Sequence, residues 1–335
     1  MKGLSVVLLC AVLLAGCGKT DAPDEPPTSQ DTSGQSEEVR TEEDTQDTQN
    51  GGEVVNTDDI GLQKTLDYFA NLDEFQPPDG FDKRQDGTEY GEYAEVEYYS
   101  ETTGNTRKCY VYTPPNYDEN KTYPVLYLLH GIGGTHVEWN GGKPNEVISN
   151  LIAAGDAPPM IVVAPNIRAM YDDQTPSNIF SEESIAAFDN FINDLRDDLM
   201  PFIKENYSVS EKRGDTAVAG LSMGGREALF IGVSMPETFA YVGAFCPAPG
   251  LMGENLGIDG QITPEEMTLP DEYKGNTFIL INAENQDGVV GDNPLNYSNA
   301  FRGNGVENVY YSIEGGHDFT VWKNGLYFFA RSIFD

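Results

Sequence analysis

The chain has 335 residues, with 20 Lys and Arg residues against 55 Asp and Glu residues and a formal net charge of -35 at pH 7. This balance argues against nucleic-acid binding, because contacts to phosphates need clustered cations. It also argues against electrostatic docking on anionic lipid. Hydrophobic residues make up 39% of the chain, which is enough for a sizeable core and excludes a wholly disordered protein.

The N-terminus has the pattern of a bacterial secretion signal. Lys2 supplies a positive charge, and residues 4–16 form an apolar or small-residue run that is too short to span a bilayer as a stable helix. The run ends in Leu14-Ala15-Gly16-Cys17, which resembles the lipobox of bacterial lipoproteins, where the cysteine is lipidated and becomes the new N-terminus. We therefore predict a lipoprotein signal peptide at residues 1–17, with Cys17 as the lipidation site.

The next segment, residues 18–59, is rich in Asp, Glu, Thr, Gln, Ser and Pro and has almost no large apolar residue. Such a stretch cannot bury enough surface to offset its chain entropy, so we predict a disordered acidic tether. A globular domain is expected at residues 60–335. A lipid anchor, a tether and a domain in this order predict a secreted, membrane-anchored lipoprotein on the extracytoplasmic face of a bacterial cell.

The globular part alternates short apolar segments with helical patterns. Residues 95–100 and 107–113 alternate as half-buried strands do, which indicates an antiparallel start to a sheet. Later segments are apolar throughout, as in strands buried on both faces, and a last strand follows them. These strands are predicted at 125–129, 160–164, 216–219, 242–245, 278–281 and 309–313, and helices at 145–154, 184–207, 226–233 and 326–333. The alternation predicts an α/β fold with a mostly parallel sheet and helices on both faces.

A G-x-S-x-G motif lies between a predicted buried strand and a predicted helix. It consists of Gly220, Ser222 and Gly224. This context is what a nucleophile elbow requires, because the tight turn leaves no room for side chains at the two glycines and exposes the serine hydroxyl. The helix N-terminus behind the turn favours developing negative charge. Ser222 is therefore the candidate nucleophile.

A serine hydroxyl is a poor nucleophile without a base, and the chain has 3 histidines. Only His317 follows Ser222, as the order Ser, acid, His of this kind of sheet requires, so it is the candidate base. The acid is expected on the loop after the strand at residues 277–283, where Glu284, Asp287 and Asp292 are candidates. We prefer Asp287, in a turn-like stretch, with Glu284 as the runner-up. The acid would hold the tautomer of His317 and stabilise its imidazolium.

The tetrahedral intermediate of ester hydrolysis needs two N–H donors for its oxyanion. One is expected from the backbone of Met223, directly after the nucleophile, and the other from Ile132 in the Gly-rich loop after residue 129. His130 begins this loop, and we interpret it as a structural residue rather than a base. No cluster of His, Cys and Asp shows the spacing of metal ligands, so neither a metal nor an organic cofactor is predicted.

Taken together, these segments resemble the feruloyl esterases of carbohydrate esterase family one, which are α/β-hydrolases that remove ferulate from plant xylan. The resemblance runs through residues 77–82, 112–117, 125–134 and 219–225 and ends in the string at 315–323. It implies an α/β-hydrolase fold and a triad of Ser222, Asp287 and His317. It also implies an oxyanion hole from Met223 and Ile132 and an ester-substituted plant polysaccharide as the partner.

The motifs define acyl chemistry through a serine ester, but they do not fix the acyl group. An acetylxylan esterase, a siderophore esterase and an acyl-transfer enzyme of the same fold are alternatives. A surface binding protein that has lost the chemistry is a further alternative, and the complete set of site residues argues against it.

Three structural questions stay open at this point. Trp139 is a candidate for lining the acyl pocket, with core packing as an equal alternative. Cys109 and Cys246 could pair or remain buried thiols. The segment 250–275 could form a cap over the site or a plain surface excursion.

Overall fold

The described part of the computed structural model covers residues 59–253, 261–285 and 288–334. The predicted signal peptide, Cys17, nearly all of the tether and Asp287 lie outside these ranges. Within them, no helix has both the length and the apolar character needed to cross a membrane.

A mixed eight-stranded sheet forms the centre of the domain. Its strands are β1 (Glu92–Ser100), β2 (Asn105–Thr113), β3 (Val125–Leu129), β4 (Ile161–Pro165), β5 (Thr216–Leu221), β6 (Tyr241–Phe245), β7 (Phe278–Glu284) and β8 (Val309–Ile313). They lie in the order β1-β2-β4-β3-β5-β6-β7-β8. β2 pairs antiparallel with β1 and with β4, and all other neighbours are parallel. The predicted strands and the predicted antiparallel start are thus present.

The helices differ more from prediction than the strands do. They are α1 (Leu62–Ala70), α2 (Pro144–Ala154), α3 (Glu182–Asp189), α4 (Phe191–Asp194), α5 (Met200–Asn206), α6 (Met223–Ser234), α7 (Asp271–Lys274), α8 (Asn293–Gly303) and α9 (Phe319–Ala330). The helix predicted over 184–207 is divided into α3, α4 and α5, with a π-helical turn at Leu195–Leu199. The last helix begins earlier than predicted because the Asp318 side chain accepts a hydrogen bond from the Thr320 amide and caps it.

Two hydrophobic layers cover the two faces of the sheet. The alternation of side chains along β3 shows this, because Leu126 and Leu128 point into one layer while Tyr127 and Leu129 point into the other. Helices α1, α2 and α9 cover the first face, and α3, α6 and α8 cover the second. This arrangement confirms the predicted α/β-hydrolase class, in which strands buried on both faces must be apolar throughout.

A buried arginine ties the antiparallel edge of the sheet to the loop that follows β4. Arg107 on β2 is fully buried, and its guanidinium lies 2.6 Å from a carboxylate oxygen of Asp194 and 3.1 Å from one of Asp173. It also donates hydrogen bonds to the backbone carbonyls of Asn166 and Arg168, at 2.7 and 2.9 Å. These bonds fix the irregular backbone after β4, which carries residues that contact the candidate site.

The two cysteines in the described part are both buried, and neither is in a disulfide. Cys109 lies within β2, and Cys246 directly follows β6. The open question of their pairing is therefore answered: they do not form a disulfide.

Candidate active site

The turn between β5 and α6 holds Ser222 in the strained geometry of a nucleophile elbow. Its φ is 52° and its ψ is −115°, a conformation that non-glycine residues rarely adopt. The Ser222 amide donates to the carbonyl of Phe245 at 2.8 Å, and the Ser222 carbonyl accepts from the amide of Ala248 at 2.9 Å. Because both partners belong to or follow the neighbouring strand, the turn is fixed to the sheet.

The two glycines of the motif are required by close backbone approach. A Cβ at Gly220 would lie 2.4 Å from the carbonyl group of Gly224. A Cβ at Gly224 would lie 2.4 Å from the carbonyl oxygen of Leu129 and 2.5 Å from that of His130. Any side chain at either position would therefore force backbone to move, as the motif predicts.

The imidazole of His317 lies against Ser222, the candidate nucleophile. Its Nε2 is 2.9 Å from the Oγ of Ser222, and its Nδ1 is 2.9 Å from Oε1 of Glu284. The loop between β8 and α9 carries His317, and the indole of Trp322 packs perpendicular to its ring at a centroid distance of 5.1 Å. With a proton on Nδ1, Nε2 can accept the hydroxyl proton of Ser222, as a general base must.

Among the described residues, the carboxylate that contacts His317 belongs to Glu284, the runner-up. β7 continues through Glu284, which pairs with Ile313 at the end of β8, whereas the sequence analysis ended this strand earlier. Glu284 therefore lies beside the end of β8, where the loop that carries His317 begins. The preferred acid, Asp287, lies outside the described residues, and Asp292 directly precedes α8.

The loop of residues 131–134, here called the oxyanion loop after its predicted role, passes beside Ser222. A Cβ at Gly131 would lie 3.4 Å from the Cβ of Ser222. Within the described ranges, no residue accepts a hydrogen bond from the amide of Ile132. The amide of Met223 is the first of α6, where no intrahelical acceptor exists. Both predicted donors thus retain an N–H that a substrate oxygen could use.

Two charged residues that the sequence analysis missed hold the oxyanion loop. Oε2 of Glu138 accepts a hydrogen bond of 2.6 Å from the Gly131 amide, and the Arg168 guanidinium donates one of 2.6 Å to the Ile132 carbonyl. Burial raises the pKa of the Glu138 carboxyl, while the Gly131 hydrogen bond and the charge of His317 act in the opposite direction. No local pattern signalled the contact of Arg168, because this residue lies far from the loop in sequence.

His130 has the structural role that the sequence analysis gave it. The residue is fully buried, its Nδ1 donates to the Gly131 carbonyl at 2.7 Å, and its Nε2 accepts from the Ile167 amide at 2.8 Å. Burial lowers the pKa of His130 to about 3, so the ring is neutral at ordinary pH. It orders the start of the oxyanion loop.

Trp139 lies in the core and not in an acyl pocket. It is 1% exposed, and its indole N–H donates to the Leu129 carbonyl at 2.9 Å. The rings of Phe245 and Phe319 pack edge-on against it at 6.1 and 5.9 Å. The predicted contact with substrate is thus corrected to core packing beneath the oxyanion loop.

Comparison with known proteins identifies the family. The model of the Esterase family matches residues 100–328, a range that includes the elbow, Glu284 and His317. The chain belongs to the Esterase family. An endo-1,4-beta-xylanase/feruloyl esterase from Xylanibacter ruminicola is 31% identical over 256 residues, which are 73% of this chain and 32% of that protein. The chain therefore spans about a third of the length of this curated relative.

Solved structures agree with this assignment. The CE1 ferulic acid esterase from Anaeromyces mucronatus, in complex with ferulic acid, is 33% identical with a TM-score of 0.72, covering 78% of this chain and 97% of that one. A feruloyl esterase module from Clostridium thermocellum, complexed with sinapinate, has a TM-score of 0.59 over 77% of this chain and 92% of that one; at 18% identity it shows the fold alone. The resemblance to feruloyl esterases is confirmed.

The contact between Glu284 and His317 leads to a first prediction. Glu284→Gln is expected to lower kcat by at least about tenfold, because the amide can present an N–H to Nδ1 and disfavour the productive tautomer. Steady-state hydrolysis of p-nitrophenyl acetate at saturating substrate measures the effect. An unchanged kcat would contradict a role for this contact.

The paired variant Asp287→Asn assigns the acid. A loss of about 10⁴-fold in only one of the two variants would identify that residue as the acid of the triad. A loss of that size at Asp287 would confirm the acid that the sequence predicted and make Glu284 a buried neighbour of the histidine.

The hydrogen bond of Glu138 leads to a second prediction. Glu138→Ala is expected to lower kcat about tenfold to a hundredfold with little change in KM, because the oxyanion loop loses an anchor that positions an N–H for the transition state. Glu138→Gln, whose side-chain oxygen can still accept from Gly131, is expected to restore most of kcat. Kinetics with p-nitrophenyl acetate measure both.

Glu97→Ala is the matched control, because this carboxylate on β1 is 60% exposed. It is expected to leave kcat unchanged. If Glu138→Ala changed only KM, or if Glu138→Gln were as inactive as Glu138→Ala, the acceptor role would be wrong.

Proposed function

We propose that this chain is a serine esterase that hydrolyses feruloyl and other hydroxycinnamoyl esters on plant cell-wall xylan. The contact of 2.9 Å between Ser222 Oγ and His317 Nε2, made within a strained elbow, carries the proposal for the chemistry. The similarity to the ferulic acid esterase of Anaeromyces mucronatus, over 78% of this chain, carries the proposal for the acyl group.

In the first half-reaction, Ser222 Oγ attacks the ester carbonyl carbon while His317 Nε2 takes the hydroxyl proton. The carbonyl oxygen becomes an oxyanion, which the amides of Met223 and Ile132 stabilise. The intermediate then collapses, and the bond to the sugar oxygen breaks. The imidazolium of His317 gives its proton to that oxygen, so the sugar leaves as an alcohol.

In the second half-reaction, water attacks the acyl-enzyme, and His317 Nε2 takes one of its protons. Collapse of the second intermediate returns this proton to Ser222 Oγ and releases the carboxylic acid. A carboxylate on Nδ1 stabilises the imidazolium in both halves, and the described contact from Glu284 fits this role. Because Glu138 and Arg168 fix the oxyanion loop beforehand, the donors need no rearrangement during the reaction.

Exposed aromatic residues near the same edge of the sheet support an aromatic or sugar-bearing substrate. Tyr171 and Phe180 are 72% and 73% exposed, and both lie in the segment after β4. Val137, which is 44% exposed, follows the oxyanion loop. Loops after parallel strands gather at the edge of the sheet where Ser222 lies, and exposed rings there can stack on a phenolic acid or a sugar.

Hydrolysis of methyl ferulate, acetylated xylan and p-nitrophenyl acetate by the purified protein tests this function. The expected result is a kcat/KM for methyl ferulate well above the values for both acetyl esters. Ser222→Ala is expected to lose at least about 10³-fold of kcat on every substrate, because the nucleophile is gone.

Each other outcome has a defined meaning. Activity on the acetyl esters alone would contradict the feruloyl assignment and favour a deacetylase with the same mechanism. Turnover by Ser222→Ala near that of the unmutated protein would contradict the serine mechanism. A folded protein that is inactive on all three substrates would favour a different ester or a binding protein.

We also propose that lipid at Cys17 anchors the protein on the extracytoplasmic face of a bacterial cell, from where it would reach an extracellular polysaccharide. The apolar run that ends at Cys17 supports this proposal.

Cys17→Ala is expected to move the protein out of the membrane fraction of producing cells or to block its processing. Cys10→Ala, inside the predicted signal peptide, is the matched control and is expected to leave the protein in that fraction. If both variants were found in the membrane fraction to the same extent as the unmutated protein, the lipid anchor would be contradicted.

A further inference from the structure

Three potential metal ligands meet next to the nucleophile. Ligand atoms of Cys246, Glu284 and His317 all lie within 4.8 Å of one another. Cys246 is fully buried, the Glu284 side chain is 0% exposed and the His317 side chain 15%. A thiol, a carboxylate and an imidazole thus share one enclosed space, and the ester hydrolysis described above uses no thiol.

The sheet itself holds this cluster together. Cys246 follows β6, Glu284 ends β7 and His317 follows β8, so the three residues come from neighbouring parallel strands. The Cys246 amide donates to the carbonyl of Asn282 at 2.9 Å, and Cys246 has a φ of 50°. A cysteine held in this left-handed conformation is strained, and such strain often marks a functional site.

The cluster contains a buried acceptor that a cation could use. Oε1 of Glu284 faces His317, but Oε2 is buried and has no hydrogen-bond partner in the described part of the chain. Buried carboxylate oxygens without a donor are costly and rare. A metal ion between this carboxylate and the thiol would satisfy the oxygen.

We propose that Cys246, Glu284 and His317 form an inhibitory site for Zn²⁺ or a similar thiophilic divalent cation. Zinc prefers this donor set of thiolate, imidazole and carboxylate, at about 2.0–2.3 Å from each ligand atom, and a water molecule would complete its four ligands. The three ligand atoms lie within 4.8 Å of one another. They need to approach each other only slightly to bind one zinc ion at these metal–ligand distances. Mg²⁺ and Ca²⁺ prefer oxygen ligands only and fit poorly.

Binding would switch off the base through its tautomer. The Cys246 thiol releases its proton to solvent, and its thiolate binds the metal. The metal also takes the lone pair of His317 Nδ1, so the ring proton moves from Nδ1 to Nε2. An Nε2–H group can donate to Ser222 Oγ but cannot accept its proton, and hydrolysis stops at the first step. This inference concerns the ester chemistry of the site and does not depend on the feruloyl group.

Inhibition by zinc is the first test. The chelator-treated full chain is preincubated with micromolar ZnCl₂, since the ligands are buried, and then assayed on p-nitrophenyl acetate. We expect at least about tenfold inhibition that EDTA reverses, and no effect of MgCl₂ at the same concentration. Lack of inhibition by zinc would overturn the proposal.

Two cysteine variants make the test specific. Cys246→Ser is expected to keep most of its hydrolysis and to need at least about tenfold more zinc for the same inhibition, because a hydroxyl is a poor zinc ligand. Cys109→Ser is the matched control; this buried thiol lies within β2, and burial raises its pKa to about 12. It should keep full zinc sensitivity. If Cys246→Ser folds poorly, Cys246→Gly replaces it, because glycine suits a φ of 50°.

Equilibrium dialysis against ZnCl₂ gives a readout that needs no activity. Cys246→Ser is expected to bind about one Zn²⁺ per chain fewer than the unmutated protein, and Cys109→Ser and inactive Ser222→Ala to bind as many. Because Ser222→Ala would still bind zinc, failure of the esterase mechanism and failure of the zinc site give different results. Equal zinc binding, or equal zinc inhibition, with and without the Cys246 thiol would overturn the proposal.

Discussion

The close approach of the β5–α6 turn to the end of β3 decides the geometry of the whole site. The Cα of Gly224 lies so near the carbonyls of Leu129 and His130 that no side chain fits there. This contact places Ser222 beside the start of the oxyanion loop. Ser222 adopts its strained φ of 52° because β5, fully buried and paired on both sides, does not let the turn relax. The strain is thus supported by a fully buried strand in the middle of the sheet.

The irregular backbone around that contact depends on buried charge. Where a loop leaves the sheet, its backbone carbonyls and amides no longer form hydrogen bonds with a neighbouring strand. When these groups are buried, each needs another hydrogen-bond partner. Arg107 and Arg168 supply several donors each from one rigid guanidinium, and Glu138 supplies an acceptor for the Gly131 amide. Removing these charged groups from water is unfavourable, but their hydrogen bonds hold the oxyanion loop in one conformation.

The sequence predicted what is local and periodic, and it failed where contacts join distant segments. Apolar runs located the strands, and the strand, motif and helix around Ser222 located the elbow. Glu284 lies on β7 because its pairing with Ile313 extends the strand, and an apolar run alone does not show how far such pairing continues. The sequence leaves the place of Trp139 open, because an indole can line a pocket or pack in a core. Its hydrogen bond to the Leu129 carbonyl shows that it packs in the core. The contact of Arg168 with Ile132 had no local signal at all.

The same strand pairing positions both the proposed catalytic residues and the proposed zinc site. Phe245 pairs with Asn282, and Glu284 pairs with Ile313, so the registers of β6, β7 and β8 set where Cys246, Glu284 and His317 lie. The same registers bring the imidazole of His317 to Ser222. A shift of any strand would therefore disturb both functions together, whereas removal of the Cys246 sulfur alone would separate them. A thiol is needed neither for the attack nor for its proton transfers, so it makes the base of this esterase sensitive to metal without contributing to its chemistry.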